Sequence, residues 1–241
     1  MKRFLLALVT LLVIPAAVLA AGDVHLDRAP DVQGDKPALQ NGAKVFVNYC
    51  LSCHGLSFVR YNRLIELGLT DQQVRENLMF TADKIGEPMR IAARAAEQKE
   101  WFGAAPPDLS LIARARASEE GSGADWLYTY LRSFYRDHER QTGWNNTVFA
   151  NVGMPHVLWQ LQGEQKLDHA THQLALDVPG QISPAEYDKT IADLVGFLVW
   201  AAEPGVGFRK QLGVGVLLFL VVLFGVSYAL KKEFWKDVKK N

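Results

Sequence analysis

The chain has 241 residues, 49% hydrophobic and 22% charged, enough for one good-sized core plus appendages. Its formal net charge of zero hides a segregation: residues 21–208 hold 17 Lys+Arg against 24 Asp+Glu, while residues 209–241 hold 7 against 2. An acidic central region attracts basic soluble partners in a salt-screened way and excludes nucleic acid as a partner, although acidity for solubility alone competes with the first reading.

Residues 1–20 open with Lys2 and Arg3, run apolar over residues 4–18 and close on Val18-Leu19-Ala20, a small-residue cleavage pattern. A signal peptide over 1–20 is expected, with the mature chain starting near Ala21. An uncleaved anchor is the alternative, but Pro15 interrupts the run and ~15 apolar residues are short for ~30 Å of hydrocarbon.

Gly42, Val45, Phe46 and Tyr49 mark one face of a helix that runs into Cys50-Leu51-Ser52-Cys53-His54, and these are the only two cysteines in the chain. Structural zinc needs four ligands in paired spacings, and no second pair exists. A redox disulfide of this spacing is usually set in a βαβ pattern, which is not found here. Covalent haem fits best: two thiols three positions apart add to two vinyl groups, and the adjacent histidine lies beneath the iron. Export supports that reading, because such attachment is made outside the bacterial cytoplasm.

Met79 and Met89 lie in helix-like, charged surroundings that suggest gap-filling in the core. In Pro106-Pro107-Asp108-Leu109-Ser110-Leu111-Ile112-Ala113-Arg114-Ala115-Arg116, a stiff turn and an Asp cap lead into a short helix. At 100° per residue Leu109, Ile112, Ala113 and Arg116 share one face, so Arg116 points coreward and needs an anion such as a haem propionate, unless it snorkels at the rim. Arg114 faces solvent. Residues 125–135 read as a further helix whose Trp126, Tyr130 and Phe134 could wall a flat cofactor or simply be core. Met154 sits in Asn151-Val152-Gly153-Met154-Pro155-His156, a non-helical loop that can present its sulfur inward as a second axial ligand. His156 is the rival ligand, with a surface histidine as its plain reading.

Alternation over residues 172–178 suggests a short strand, possibly in a hairpin, between Gln162 and Gly180. Ser183-Pro184-Ala185-Glu186 is a capping box before a helix with the stripe Tyr187, Ile191, Leu194, Val195 and Leu198. Residues 212–230 hold no charge, a length of about 28 Å as a helix, which suits one membrane span. Lys231, Lys232, Lys236, Lys239 and Lys240 follow it, against Arg209 and Lys210 before it, so the tail is expected in the cytoplasm and the domain over 21–208 outside.

Taken together, Cys-Leu-Ser-Cys-His at 50–54, Pro-Pro-Asp-Leu-Ser at 106–110 with Arg114-Ala115-Arg116, Gly153-Met154-Pro155, Trp200-Ala201-Ala202-Glu203-Pro204 and Arg209-Lys210 before the span resemble the cytochrome c1 family in order and spacing. These are haem subunits of the cytochrome bc1 complex, ubiquinol–cytochrome c reductase. The resemblance implies a mainly α, class I cytochrome c-like haem domain with insertions and a short β hairpin, plus one C-terminal transmembrane helix in residues 209–241. It implies one covalent haem c on Cys50 and Cys53, axial ligands His54 and Met154, and a haem environment that includes Arg116, Pro107 and Trp126. Trp126 stands where the family pattern leads one to expect tyrosine, so it offers no hydroxyl to a propionate. The extra cysteine pair of some relatives is absent, and support for the Met154 loop is expected from packing.

The implied partners are cytochrome b, the Rieske iron–sulfur protein as electron donor and a soluble cytochrome c as acceptor, in a dimeric complex of the bacterial inner membrane with the haem domain in the periplasm. The chain would be the electron-transfer subunit of an enzyme without substrate chemistry of its own. A tethered cytochrome feeding a terminal oxidase would need a long linker, and only a few residues separate Pro204 from Leu212. An anchored thiol oxidoreductase would keep the cysteines as a reducible pair.

Overall fold

The computed structural model describes residues 25–236, so the leader expected over 1–20 and Lys239 and Lys240 lie outside the described residues. Helix α1, Lys36–Val45, starts where the Asp35 side chain accepts from the Ala38 amide at 3.1 Å, with proline in its first turn. It continues as one widened π-helical turn, Phe46–Cys50, and the Cys53 and His54 amides both donate back to the Cys50 carbonyl. The helix therefore delivers the cysteine motif on a tight turn at its own end.

Helix α1 packs across α7, Pro184–Ala202, the 19-residue helix near the end of the domain. Its start is the expected capping box: the Ser183 hydroxyl accepts from the Glu186 amide at 3.3 Å and a Glu186 oxygen accepts from the Ser183 amide at 2.9 Å. The stripe Tyr187, Ile191, Leu194, Val195 and Leu198 is buried, and so are Ala192, Asp193, Phe197 and Trp200, because α7 is enclosed on more than one side. Asp193 is neutralised there by Asn41 and Lys189, which donate to one carboxylate oxygen at 2.8 and 2.7 Å.

The crossing depends on Gly42. A Cβ there would lie 2.1 Å from the Asp193 carbonyl oxygen and 2.7 Å from the Phe197 Cβ, so the helices touch backbone to backbone. Gly42→Ala is expected to cost roughly 1–3 kcal/mol by overpacking. Denaturant unfolding of the haem-loaded protein checks this, and wild-type stability would contradict so close a crossing.

Between these helices the chain forms β1 (Leu56–Arg60), a 3-10 helix (Tyr61–Leu67), α2 (Asp71–Asn77), β2 (Pro88–Met89), α3 (Ala95–Phe102), α4 (Ile112–Ala115) and α5 (Gly123–Arg132). Next come β3 (Phe134–Arg136), β4 (Trp144–Asn146), α6 (Trp159–Gln162), β5 (Gly163–Asp168) and β6 (Gln173–Pro179). Each sheet is an antiparallel pair, β1 with β2, β3 with β4 and β5 with β6, the last being the expected hairpin. The domain is mainly α with small sheets, as expected.

Three local expectations change. The helix expected over 125–135 begins earlier and stops at Arg132: the Ser133 hydroxyl turns back to the Thr129 carbonyl at 2.6 Å, and Phe134 and Tyr135 enter a strand. Aromatic residues fit either element, and cross-strand pairing with residues 144–146 decides. Met89 is fully buried, in β2 rather than in a helix, and still fills core space. Helix α4 is one turn long, with Leu109 outside it and Arg116 as its C-terminal cap, so the shared helical face assumed for those two does not exist.

Helix α8, Val206–Phe234, encloses the apolar run over 212–230. Its 29 residues span about 44 Å, its most apolar window has a mean hydropathy of 2.5, and none of that window is buried. That length and uncovered apolar surface suit a membrane.

Candidate functional site

His54 follows directly from the turn that ends α1, and its ring is fixed from the side. Its Nδ1 lies 2.7 Å from the Pro107 carbonyl oxygen, which can only accept, so Nδ1 carries the proton and Nε2 keeps its lone pair. Burial pushes the imidazole pKa down, against smaller upward pulls from the Pro107 carbonyl and the Asp108 charge. A neutral ring with one free nitrogen is what a metal needs.

The Cys50 and Cys53 thiols are not joined to each other. Burial, and secondarily Cys53, pushes the Cys50 thiol up to about 12, the reverse of the lowered pKa of a redox-active nucleophile. The loop is held by Gln98 of α3, which is 3% exposed and donates to the Cys53 carbonyl at 3.0 Å. No sequence signal marked Gln98, since a glutamine in a charged helical stretch reads as surface.

Asp108 does not cap α4. Its Oδ1 accepts from the Ser110 amide two residues on, and its Oδ2 reaches across to the Ser57 amide. Burial raises the carboxyl pKa, and the bonds from Ser110 and Ser57 outweigh that and hold it below the usual range.

A second group forms around α5. Arg116 lies 4.5 Å from the Trp126 ring centroid and 5.7 Å from that of Phe149, Trp126 stacks on Tyr130 at 4.8 Å, and the Tyr130 hydroxyl donates to the Met154 sulfur at 3.4 Å. Arg116 is partly buried, yet no carboxylate pairs with it among the described residues. Arg114 is exposed and pairs with Glu203, as a solvent-facing residue can. A close approach places α5 beside α4: a Cβ on Gly123 would lie 2.1 Å from the Ala113 carbonyl oxygen.

Two buried asparagines hold the Met154 loop. Asn146 Oδ1 accepts from the Val148 and Phe149 amides at 2.9 and 3.1 Å, and its Nδ2 donates to the Tyr130 carbonyl at 2.8 Å. Asn145 Oδ1 accepts from the Asn151 amide at 2.9 Å, and its Nδ2 donates to Asp137 at 2.8 Å. Hydrogen bonds thus supplement the packing expected to support this loop, and Asn151 takes a left-handed φ of 62° within it. An Asn-Asn pair looks like any turn, so nothing local marks this role.

His156 is buried instead of lying on the surface. It stacks on Phe134 at 4.8 Å and meets Trp144 edge-on at 5.0 Å. Burial lowers its pKa to about 4, against a smaller upward pull from Gln162, so the ring is neutral near pH 7.

The structure therefore brings Cys50, Cys53, His54 and Pro107 into one group and Arg116, Trp126 and Met154 into another. Residues 107–116 connect the two, and no hydrogen bond or ring contact joins them among the described residues. The residues fit a haem: two separate thiols, one imidazole with a free nitrogen, one thioether, stacked aromatic rings and a cation that lacks a protein anion.

The cytochrome C1 family model matches residues 30–238. Similar proteins include one named ammonia monooxygenase gamma subunit from Nitrosomonas europaea, 46% identical over 99% of this chain and 100% of its own length. Cytochrome c1 of Allochromatium vinosum is 42% identical over 99% of this chain and 100% of its own, and cytochrome c1 of Rhodospirillum rubrum is 32% identical over 85% and 83%. With a family model covering most of its length and full-length relatives well above 30% identity, the chain belongs to the cytochrome c1 family, the membrane-anchored haem subunits of the cytochrome bc1 complex that work with cytochrome b and the Rieske iron–sulfur protein, and it carries a covalently bound c-type haem.

Proposed function

We propose that Cys50 and Cys53 form the two thioether links, that His54 Nε2 and Met154 Sδ are the axial ligands, and that Pro107, Arg116 and Trp126 complete the haem environment. The observation that carries this reading is the 2.7 Å bond from His54 Nδ1 to Pro107, because it orients the ring and leaves Nε2 alone to bind a metal. The haem supplies a one-electron ferrous–ferric couple; the chain takes the electron from the Rieske protein and passes it to a soluble cytochrome c. Its own residues hold the couple, exclude water and set its potential. Catalysis belongs to the complex, ubiquinol–cytochrome c reductase, with this chain as its electron-transfer subunit.

The name of the Nitrosomonas relative would place it in an oxygenase. With His54 and Met154 both holding the iron, the haem would supply electron transfer, the role that the family match also favours for this chain. The thiol oxidoreductase reading is opposed by the family match, and the burial that pushes the Cys50 thiol pKa up points the same way. Peroxidase staining of the denatured protein tests the attachment: wild type is expected to stain, Cys50→Ala with Cys53→Ala to lose the stain, and a colourless wild-type band would sink the assignment.

The same reading makes 1–20 a cleaved leader, 21–208 the exported haem domain and 209–241 the anchor and basic tail, in a dimeric complex of the bacterial inner membrane. It is supported by the excess of lysine after the span and by the acidic balance of the domain, which suits a basic acceptor. Protease added to spheroplasts is expected to remove the haem domain and spare the tail. Protection of the domain would reverse the orientation.

A further inference from the structure

The residues that follow His54 run beside residues 107–110 and are laced to them. The Leu109 amide donates to the Gly55 carbonyl at 2.9 Å, the Ser57 amide to Asp108 Oδ2 at 2.8 Å, and the Phe58 amide to the Ser110 hydroxyl oxygen at 3.1 Å. The His54 bond to the Pro107 carbonyl is the fourth rung of this ladder. Among the described residues, Asp108 alone bonds through its side chain to an amide in each row, because its other oxygen, Oδ1, accepts from the Ser110 amide at 2.9 Å and fixes the turn that carries Ser110. Asp108 directly follows Pro107, whose carbonyl holds His54 Nδ1, so its negative charge sits beside the bond that orients the ring. A residue needed only to form the turn would not have to carry a charge.

We propose that Asp108 is a positioning residue with a second, electrostatic effect: its two oxygens keep the Pro107 carbonyl aligned on His54 Nδ1, and its charge lowers the reduction potential by favouring the ferric state. The ferric state carries one more positive charge than the ferrous state, so a nearby anion stabilises it more. Alignment acts in the same direction, since a held imidazole whose proton is shared with a carbonyl is a stronger donor to the more positive iron. The inference rests on His54 holding the iron.

Three variants of the haem-loaded full chain separate these effects. Asp108→Asn removes the charge and one of the two acceptor oxygens; the ferrous-to-ferric ratio at a fixed ambient potential is expected to rise several-fold, well beyond the effect of losing a rung alone. Ser110→Ala removes one rung and no charge; the Phe58 amide is expected to exchange faster in deuterium while the potential stays near wild type. Asp108→Ala is expected to free the Ser57 and Ser110 amides, which should be protected in wild type. An Asp108→Asn potential equal to wild type, or a Ser110→Ala shift as large as that of Asp108→Asn, would overturn the electrostatic effect, and an unprotected Ser57 amide in wild type would overturn the bracing. A wild-type spectrum without a histidine-ligated haem would instead count against the His54 assignment.

Discussion

Met154→Leu is expected to lower the reduction potential of the haem by on the order of 100 mV, since a thioether ligand favours the ferrous iron and ~59 mV corresponds to a tenfold change for one electron. Leucine matches methionine in bulk, so the loop keeps its packing while the sulfur is lost. Met154 is partly buried and its sulfur accepts from Tyr130, on a loop braced by Asn145 and Asn146, so a change in potential is read against a retained fold. Potentiometric titration of the membrane complex measures it. An unchanged potential would remove Met154 as ligand and return attention to His156, whose stacking on Phe134 and contact with Trp144 suit a core residue better than a mobile ligand.

The second large effect is expected at Asn146, which is 1% exposed. Asn146→Leu removes the acceptor for the Val148 and Phe149 amides and the donor for the Tyr130 carbonyl, leaving three backbone groups to find new partners. At roughly 1 kcal/mol for each lost bond, and more for any group that stays buried and unpaired, the domain should lose about 3 kcal/mol or more. Asn146→Asp keeps the acceptor but sets a buried carboxylate oxygen against the Tyr130 carbonyl, so its cost should shrink as the pH is lowered and the carboxyl becomes a donor. Denaturant unfolding compares the two, and the sulfur–iron absorption band shows whether the Met154 loop loosens before the domain unfolds. Equal stability of Asn146→Leu and wild type would mean that packing alone supports the loop.

Much of the site was legible because its chemistry is local in the chain. Cys50, Cys53 and His54 need only their spacing, and the capping box at Ser183 needs only four residues. A shared helical face does not account for Arg116, since α4 is one turn long and Arg116 lies at its end. It is nevertheless partly buried against Trp126 and Phe149, because the chain before α5 folds back along that helix. The helix expected over 125–135 ends early for a related reason: Phe134 and Tyr135 carry no stop signal, and their partners, Asn146 and Asn145, lie twelve and ten residues away in β4.

By itself, then, the sequence determined the cofactor chemistry, the mainly helical domain and the apolar C-terminal helix, because thiol spacing, 3.6-residue periodicity and an uncharged run of membrane length are properties of neighbouring residues. Only the tertiary structure decided which groups hold these pieces in place. Pro107 orients His54, Asp108 braces the two rows, Gln98 ties down the cysteine loop and Asn145 with Asn146 carries the Met154 loop. Each is a hydrogen bond from a short polar side chain or a carbonyl to backbone or ring brought near by folding, and such a partner is chosen by burial and geometry, on which the local sequence is silent.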